Sequence, residues 1–225
     1  MPKLSIAAGF ARKMSAVRGM FRPESRSIES IFRAVYRNNS WGDEESVSGP
    51  GSALARTQVI REKLPSLIRK IGVESLLDVA CGDFNWLQHA DLSILRYIGA
   101  DVVPEIIELN RCRYASKFRT FEVLDITRDV LPASDAILCR DCLIHLSFAH
   151  IHDALSNFKK SECKFLMTTT HTSVKKNRDI ASGGWRSVNL TIPPFSFPQP
   201  IDVIVENPDT GKCLGLWRLD DLRNI

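Results

Sequence analysis

Apolar positions recur with two different periods along this 225-residue chain. Residues 27–37 put Ile28, Ile31, Phe32 and Val35 on one face of a helix. Residues 53–71 do the same with Leu54, Val59, Ile60, Leu64, Leu67, Ile68 and Ile71. Between them, 38–52 is rich in Gly, Pro and Ser and reads as a loop. From residue 76 the period changes to short buried runs, at 76–80, 96–101, 121–125, 136–140 and 165–170, which predict five strands. Helices are expected between them at 84–92, 104–113 and 144–159, with Pro104 suited to a first turn. The link 126–134 is too short for a crossover helix. Residues 172–200 carry Gly183, Gly184, Pro193, Pro194, Pro198 and Pro200 and predict a long ordered loop. Turn residues at 207–211 separate two last strands, 201–205 and 213–219, as an antiparallel hairpin.

Strands alternating with helices imply an α/β, doubly wound, mostly parallel seven-stranded sheet ending in an antiparallel hairpin. The expected organisation is an N-terminal basic, helical extension over 1–52, able to fold over the site as a lid, and one α/β domain over 53–225.

Charge sharpens this picture at one end. The net charge is +4, but residues 1–22 hold five basic residues (Lys3, Arg12, Lys13, Arg18, Arg22) and no acid, which leaves −1 for the remainder. A near-neutral body does not make a nucleic-acid footprint. Within 1–22, Leu4, Ile6, Phe10, Met14, Val17 and Phe21 recur at roughly helical spacing, which reads first as a frayed N-terminal helix or tail and also suits peripheral contact with an anionic membrane surface or a targeting segment. No stretch approaches a membrane span. The six cysteines are scattered through apolar segments, as in a reducing compartment, and a cytoplasmic location is expected. Cys139 and Cys142 have no second pair at zinc spacing, so no metal site is predicted.

In a doubly wound sheet, ligands bind beyond the carboxyl ends of the strands. Four ends here are polar: Asp78 with the turn to Gly82, Asp101, Asp125, and Arg140-Asp141. Carboxylates emerging from buried strands need partners. For a nucleoside, small residues at Ala80 and Gly82 permit close backbone approach, Asp101 can accept both ribose hydroxyls, and Asp125 can accept from an adenine amino group. The N-terminus of a helix starting near residue 84 would offer N–H groups to a carboxylate. The Gly-x-Gly-x-x-Gly fingerprint of dinucleotide binding is missing, and 83–86 (Asp-Phe-Asn-Trp) would crowd a pyrophosphate.

The run Leu-Leu-Asp-Val-Ala-Cys-Gly-Asp-Phe at 76–84 resembles motif I of class I S-adenosylmethionine-dependent methyltransferases. Residues 97–101 resemble their second-strand acid, 123–126 their adenine-contacting segment, and 135–146 their fourth strand with the start of its helix. The resemblance covers roughly 54–225. It implies S-adenosylmethionine as cofactor, held by Asp78, Ala80, Cys81, Gly82, Asp101, Val102, Asp125, Ile126 and Arg140. Ala80 and Phe84 stand where this family has glycines. No Asn/Asp-Pro-Pro-aromatic tetrad follows strand four, which argues against the nucleic-acid amino-methyltransferases.

Methyl transfer to a hydroxyl needs positioning and a base. His145, expected one turn into the fourth helix, His171 at the end of strand five, and Asp141 are the catalytic candidates. Trp185, Arg186 and Asn189 in the long loop are the acceptor-binding candidates, Trp185 by stacking and Arg186 by holding an anion. O-methylation of a small molecule or saccharide is the expected activity. N-methylation of a small amine or protein side chain, and non-catalytic cofactor binding, are the alternatives.

Overall fold

The computed structural model describes residues 27–222; the amphipathic reading of residues 1–22 lies outside them. Seven strands form one sheet: β1 (Ser75–Val79), β2 (Arg96–Asp101), β3 (Arg119–Val123), β4 (Ala136–Cys139), β5 (Phe165–His171), β6 (Asp202–Asn207) and β7 (Lys212–Arg218). Their order is β3-β2-β1-β4-β5-β7-β6. The first five run parallel, and β7 is antiparallel to both β5 and β6. The chain reverses direction across the sheet between β1 and β4, so the cleft expected of such a sheet opens above β1, β2 and β4.

Among the described residues, four α-helices accompany the sheet: α1 (Ile28–Arg37), α2 (Leu54–Lys70), α3 (Pro104–Tyr114) and α4 (Phe148–Lys160). The pleat sends alternate residues of β1 to opposite faces. Leu77 and Val79 join α4 and Ile28 of α1 in one core cluster. Leu76 joins Ile60, Leu64 and Ile68 of α2 in the other. Because α1 contributes to the core, residues 27–52 are packed as part of the same body.

The loop 172–200 takes the place of a helix. Its Val188, Leu190, Phe195 and Phe197 are buried in the α4-side cluster. Backbone bonds from His171 N to the Val188 carbonyl (2.7 Å) and from Phe197 N to the Leu190 carbonyl (2.8 Å) fasten it to the end of β5 and to itself. The Trp217 indole N–H of β7 donates to the Pro198 carbonyl at 2.8 Å. Irregular backbone can cover a sheet face when its polar groups are met in this way.

Three sequence expectations are corrected. No α-helix occupies 84–92; a single 3₁₀ turn, Leu87–His89, stands there. Phe84 has φ +58°, and its buried ring packs on Tyr97, Tyr114 and Phe121 at centroid distances of 5.1, 5.3 and 5.5 Å. Burying the ring fixes a left-handed backbone, which stops a helix at its first residue. The fourth helix begins at Phe148, capped by the Ser147 hydroxyl, so His145 lies in a preceding 3₁₀ turn, Leu143–His145. Strand three ends at Val123, which leaves Asp125 two residues beyond it.

Candidate active site

A cleft of about 780 Å³ lies over the ends of β1, β2 and β4, roofed by α1 and the loop that follows it. Its floor comes from the turn after β1. Asp78, Ala80, Cys81 and Gly82 line it, with Asp101 and Val102 from the end of β2 and Leu124 and Ile126 after β3. The Tyr97 hydroxyl donates to Asp78 at 2.7 Å. Asp101 accepts from Gly82 N at 3.1 Å and from Val103 N at 3.0 Å. Burial pushes the Asp78 carboxyl up to about 7, tempered by the Tyr97 bond. Burial likewise pushes Asp101 up to about 6, against the N–H groups it accepts.

The roof is tied to this floor. The Asp83 carboxylate accepts from the Ser46 hydroxyl (2.9 Å), Val47 N (3.0 Å) and the Ser48 hydroxyl (3.0 Å). The Asp83 N–H in turn donates to Ser48 Oγ at 3.0 Å. Gly82 has φ +54°, and a Cβ there would run into Ser48 Oγ, so the turn needs glycine twice over. Glu45 accepts from Leu54 N at 2.7 Å, capping α2 from the loop, and from the Asn85 amide at 2.8 Å. On the outer side, Arg33 and Arg37 of α1 both reach Glu105 Oε1 at the start of α3, at 2.7 and 2.8 Å.

The far wall holds four charges. Arg140 Nη2 meets Glu206 at 2.7 Å and its Nη1 meets Asp141 at 3.2 Å. Lys212 meets Asp141 at 2.5 Å and Glu206 at 3.4 Å. Arg140 also donates to the Gly51 carbonyl of the roof at 3.0 Å and lies over the Trp86 ring. Although burial opposes it, Arg140 and Lys212 hold the Asp141 carboxyl down at about 2.

The two histidine candidates both line the cleft. His145 Nδ1 is 2.8 Å from the Gly184 carbonyl. A carbonyl only accepts, so Nδ1 carries the proton and Nε2 the lone pair. The imidazole stacks on Trp41 of the roof at 4.5 Å between centroids. His171 is 4% exposed, and its Nδ1 has no hydrogen-bond partner. Burial lowers the pKa of both, which favours the neutral ring.

The remaining sequence-predicted residues divide. Asp141 and Trp185 line the cleft, as do all the cofactor candidates except Asp125. Asp125 does not line the cleft; its carboxylate accepts from the Thr127 hydroxyl (2.6 Å) and meets Arg128 (3.2 Å). Arg186 and Asn189 lie off the cleft. Arg186 donates to the carbonyls of Leu143 (2.8 Å) and Leu146 (2.6 Å), and its guanidinium clamps the His145 turn rather than meeting an anion. The Asn189 amide binds the Val174 carbonyl at 2.9 Å inside the long loop. With no helix after the turn, the free helix N-terminus expected there is also absent; Gly82 N and Asp83 N already have acceptors.

Sequence reasoning missed Glu206, Lys212 and the anchoring of the roof by Asp83. The only signal for Glu206 was a carboxylate two residues after core-facing Ile204. Among the described residues, no three His, Cys, Asp or Glu side chains gather as metal ligands, and no helix is long and apolar enough to cross a membrane.

No family model matches the sequence, and no curated protein matches it. Solved structures do share its fold. The N-methyltransferase NodS from Bradyrhizobium japonicum WM9, in complex with S-adenosyl-L-homocysteine, superposes with TM-score 0.62 at 14% identity, over 84% of this chain and 97% of NodS. TnmH gives 0.55 at 15% identity over 72% of this chain and 54% of that one. Human N-acetylserotonin methyltransferase, in complex with S-adenosylmethionine, gives 0.54 at 13% identity over 86% and 60%. The chain thus spans little more than half the length of the latter two. Strand order, the antiparallel hairpin and these superpositions together define the class I methyltransferase fold.

Proposed function

We propose that the protein is an S-adenosylmethionine-dependent methyltransferase that methylates a hydroxyl of a small molecule or saccharide. The observation that carries the reading is the pair of buried carboxylates, Asp78 and Asp101, on either side of the Gly82 turn at the head of the cleft. Neither has a cationic side chain bonded to it, and burial raises both. A nucleoside bearing an ammonium and a sulfonium suits such a pair, since positive charge favours ionised carboxylates. The residues present fit it: Asp101 for the ribose hydroxyls, Asp78 for the amino-acid end, and Val102 and Ile126 as apolar walls for a base.

When bound, the cofactor supplies an electrophilic methyl group. The protein then has three tasks. The roof excludes water and holds the acceptor in line. His145 Nε2, with its lone pair fixed by the Gly184 bond, takes the hydroxyl proton. Asp141, ionised between Arg140 and Lys212, helps to fix the far wall against which the acceptor sits. Trp185, exposed at the cleft mouth, offers a face to the acceptor.

Titration calorimetry with S-adenosylmethionine, S-adenosylhomocysteine and NAD tests the reading. Both sulfur nucleosides are expected to bind and NAD not to. Asp101→Asn should weaken them by about 1–3 kcal/mol, the cost of a lost charge-assisted hydrogen bond. No binding of either sulfur nucleoside, or an unchanged affinity in Asp101→Asn, refutes it.

A further inference from the structure

The charged groups of the acceptor end cancel one another. Arg140 and Lys212 are each bonded to both Asp141 and Glu206, so two cations and two anions close a ring. Arg140 and Glu206 have side chains 3% exposed, and Asp141 and Lys212 17% and 18%. His145 and His171 are neutral rings by the burial described above. Arg56, which also borders the cleft, is exposed and screened by water. With Asp78 and Asp101, which line the same cleft, taken by the cofactor on the proposed reading, no formal charge at the acceptor end is left over to receive one from a ligand. An acceptor carrying a carboxylate, phosphate or ammonium would bury that charge unpaired or pull one member from the ring, and both are costly.

Two further features describe what the pocket does receive. His171 is buried, borders the cleft, and leaves Nδ1 without a partner. The neutral imidazole on the cleft wall can give or take one hydrogen bond, and a ligand hydroxyl, able to donate or accept, matches it. Trp185 borders the same space and is 63% exposed, so much of its indole is open to a ligand. An aromatic face of this kind packs against a flat ring with polar edges.

We propose that the acceptor is a neutral, hydroxyl-bearing ring compound, bound with one hydroxyl at His171 and its ring against Trp185, and that the Arg140–Asp141–Glu206–Lys212 ring excludes charged analogues. This deepens the methyltransferase reading and rests on it. It also sets hydroxyl acceptors above amines, because an amine arrives as an ammonium and both carboxylates here are committed.

The test uses the full chain loaded with S-adenosylhomocysteine, after calorimetry has shown that it loads; failure to load overturns the methyltransferase reading itself. Saturation-transfer NMR at pH 7 then compares two matched series. The phenolic series is phenol, 4-hydroxybenzoate and tyramine; the saccharide series is methyl glucoside, glucuronate and glucosamine. The neutral member of one series is expected to bind at least about tenfold more tightly than its charged partners, and the series that responds identifies the ring. Charged members binding as well as neutral ones, or no binding by either neutral member, overturns the proposal. Lys212→Met leaves one negative charge uncompensated and should bring in tyramine or glucosamine. Glu206→Gln leaves one positive charge and should bring in 4-hydroxybenzoate or glucuronate. Unchanged selectivity in a folded variant of either kind refutes the role assigned to the ring.

Discussion

Asp78 shows how one side chain can record the purpose of a site in its proton affinity. It emerges at the end of a strand whose neighbouring positions are packed with leucine and valine, and its single side-chain partner is a neutral phenol. Its carboxyl titrates near 7 in the folded chain, against 3.8 for the ordinary group. Across that interval the folded protein keeps a proton that the unfolded chain has released, so stability falls as pH rises from about 4 to 7. Asp101 acts in the same direction with a narrower window. His145 and His171, depressed by burial, act oppositely and cost stability as pH falls below their ordinary range. The net profile thus mixes signs, but Asp78→Asn isolates one contribution. Its melting temperature relative to the parent, by scanning calorimetry without ligand, should rise steadily from pH 4 to pH 8. A difference that does not vary with pH would contradict the assignment. The carboxylates at these strand ends were legible in the sequence, because a charged residue closing a buried apolar run is costly to keep unless a ligand or a partner meets it. The left-handed Phe84 was not, because a cluster of three other aromatic rings from β2, α3 and β3 decides it.

At the scale of elements, the loop between α1 and α2 is the informative piece. Its composition marked it as irregular, and its place before the first strand suggested a cover. What holds it was hidden. Asp83 binds Ser46, Val47 and Ser48 across more than thirty positions of sequence, and nothing local in either segment signals the pairing. The same is true of the ring of charges, which depends on the β6–β7 register and on the irregularity between Val205 and Asn207 that offsets it. Sequence periodicity finds strands but not their lateral alignment. Removing the anchor with Asp83→Ala should raise amide hydrogen exchange across 44–52 by at least about tenfold, since local opening there no longer breaks a charge-assisted cluster. Exchange in β1 and β4 should stay at parent values. Protection of 44–52 that survives the substitution would show that α1 packing alone holds the roof.

For the whole molecule, the sheet divides labour between its two core clusters and its carboxyl edge. Both clusters were foreseeable from the helical and strand periods, and so was the hairpin that closes the sheet. The helix that was expected after β1 and is absent there has a consequence for how the cleft is built. With no helix opening onto the turn, the work of closing that side passes to the N-terminal segment, which is strapped to Asp83 below, to Arg140 across the cleft and to Glu105 outside. On the proposed reaction, a spent nucleoside beneath that strap leaves past a segment held at three separate points. Chemistry in a dry, pre-aligned pocket is then faster than escape. Rapid-quench measurements should accordingly find one equivalent of methylated product formed in a burst, followed by a slower linear phase whose rate matches nucleoside release. On the proposed reading, turnover is paced by the doorway.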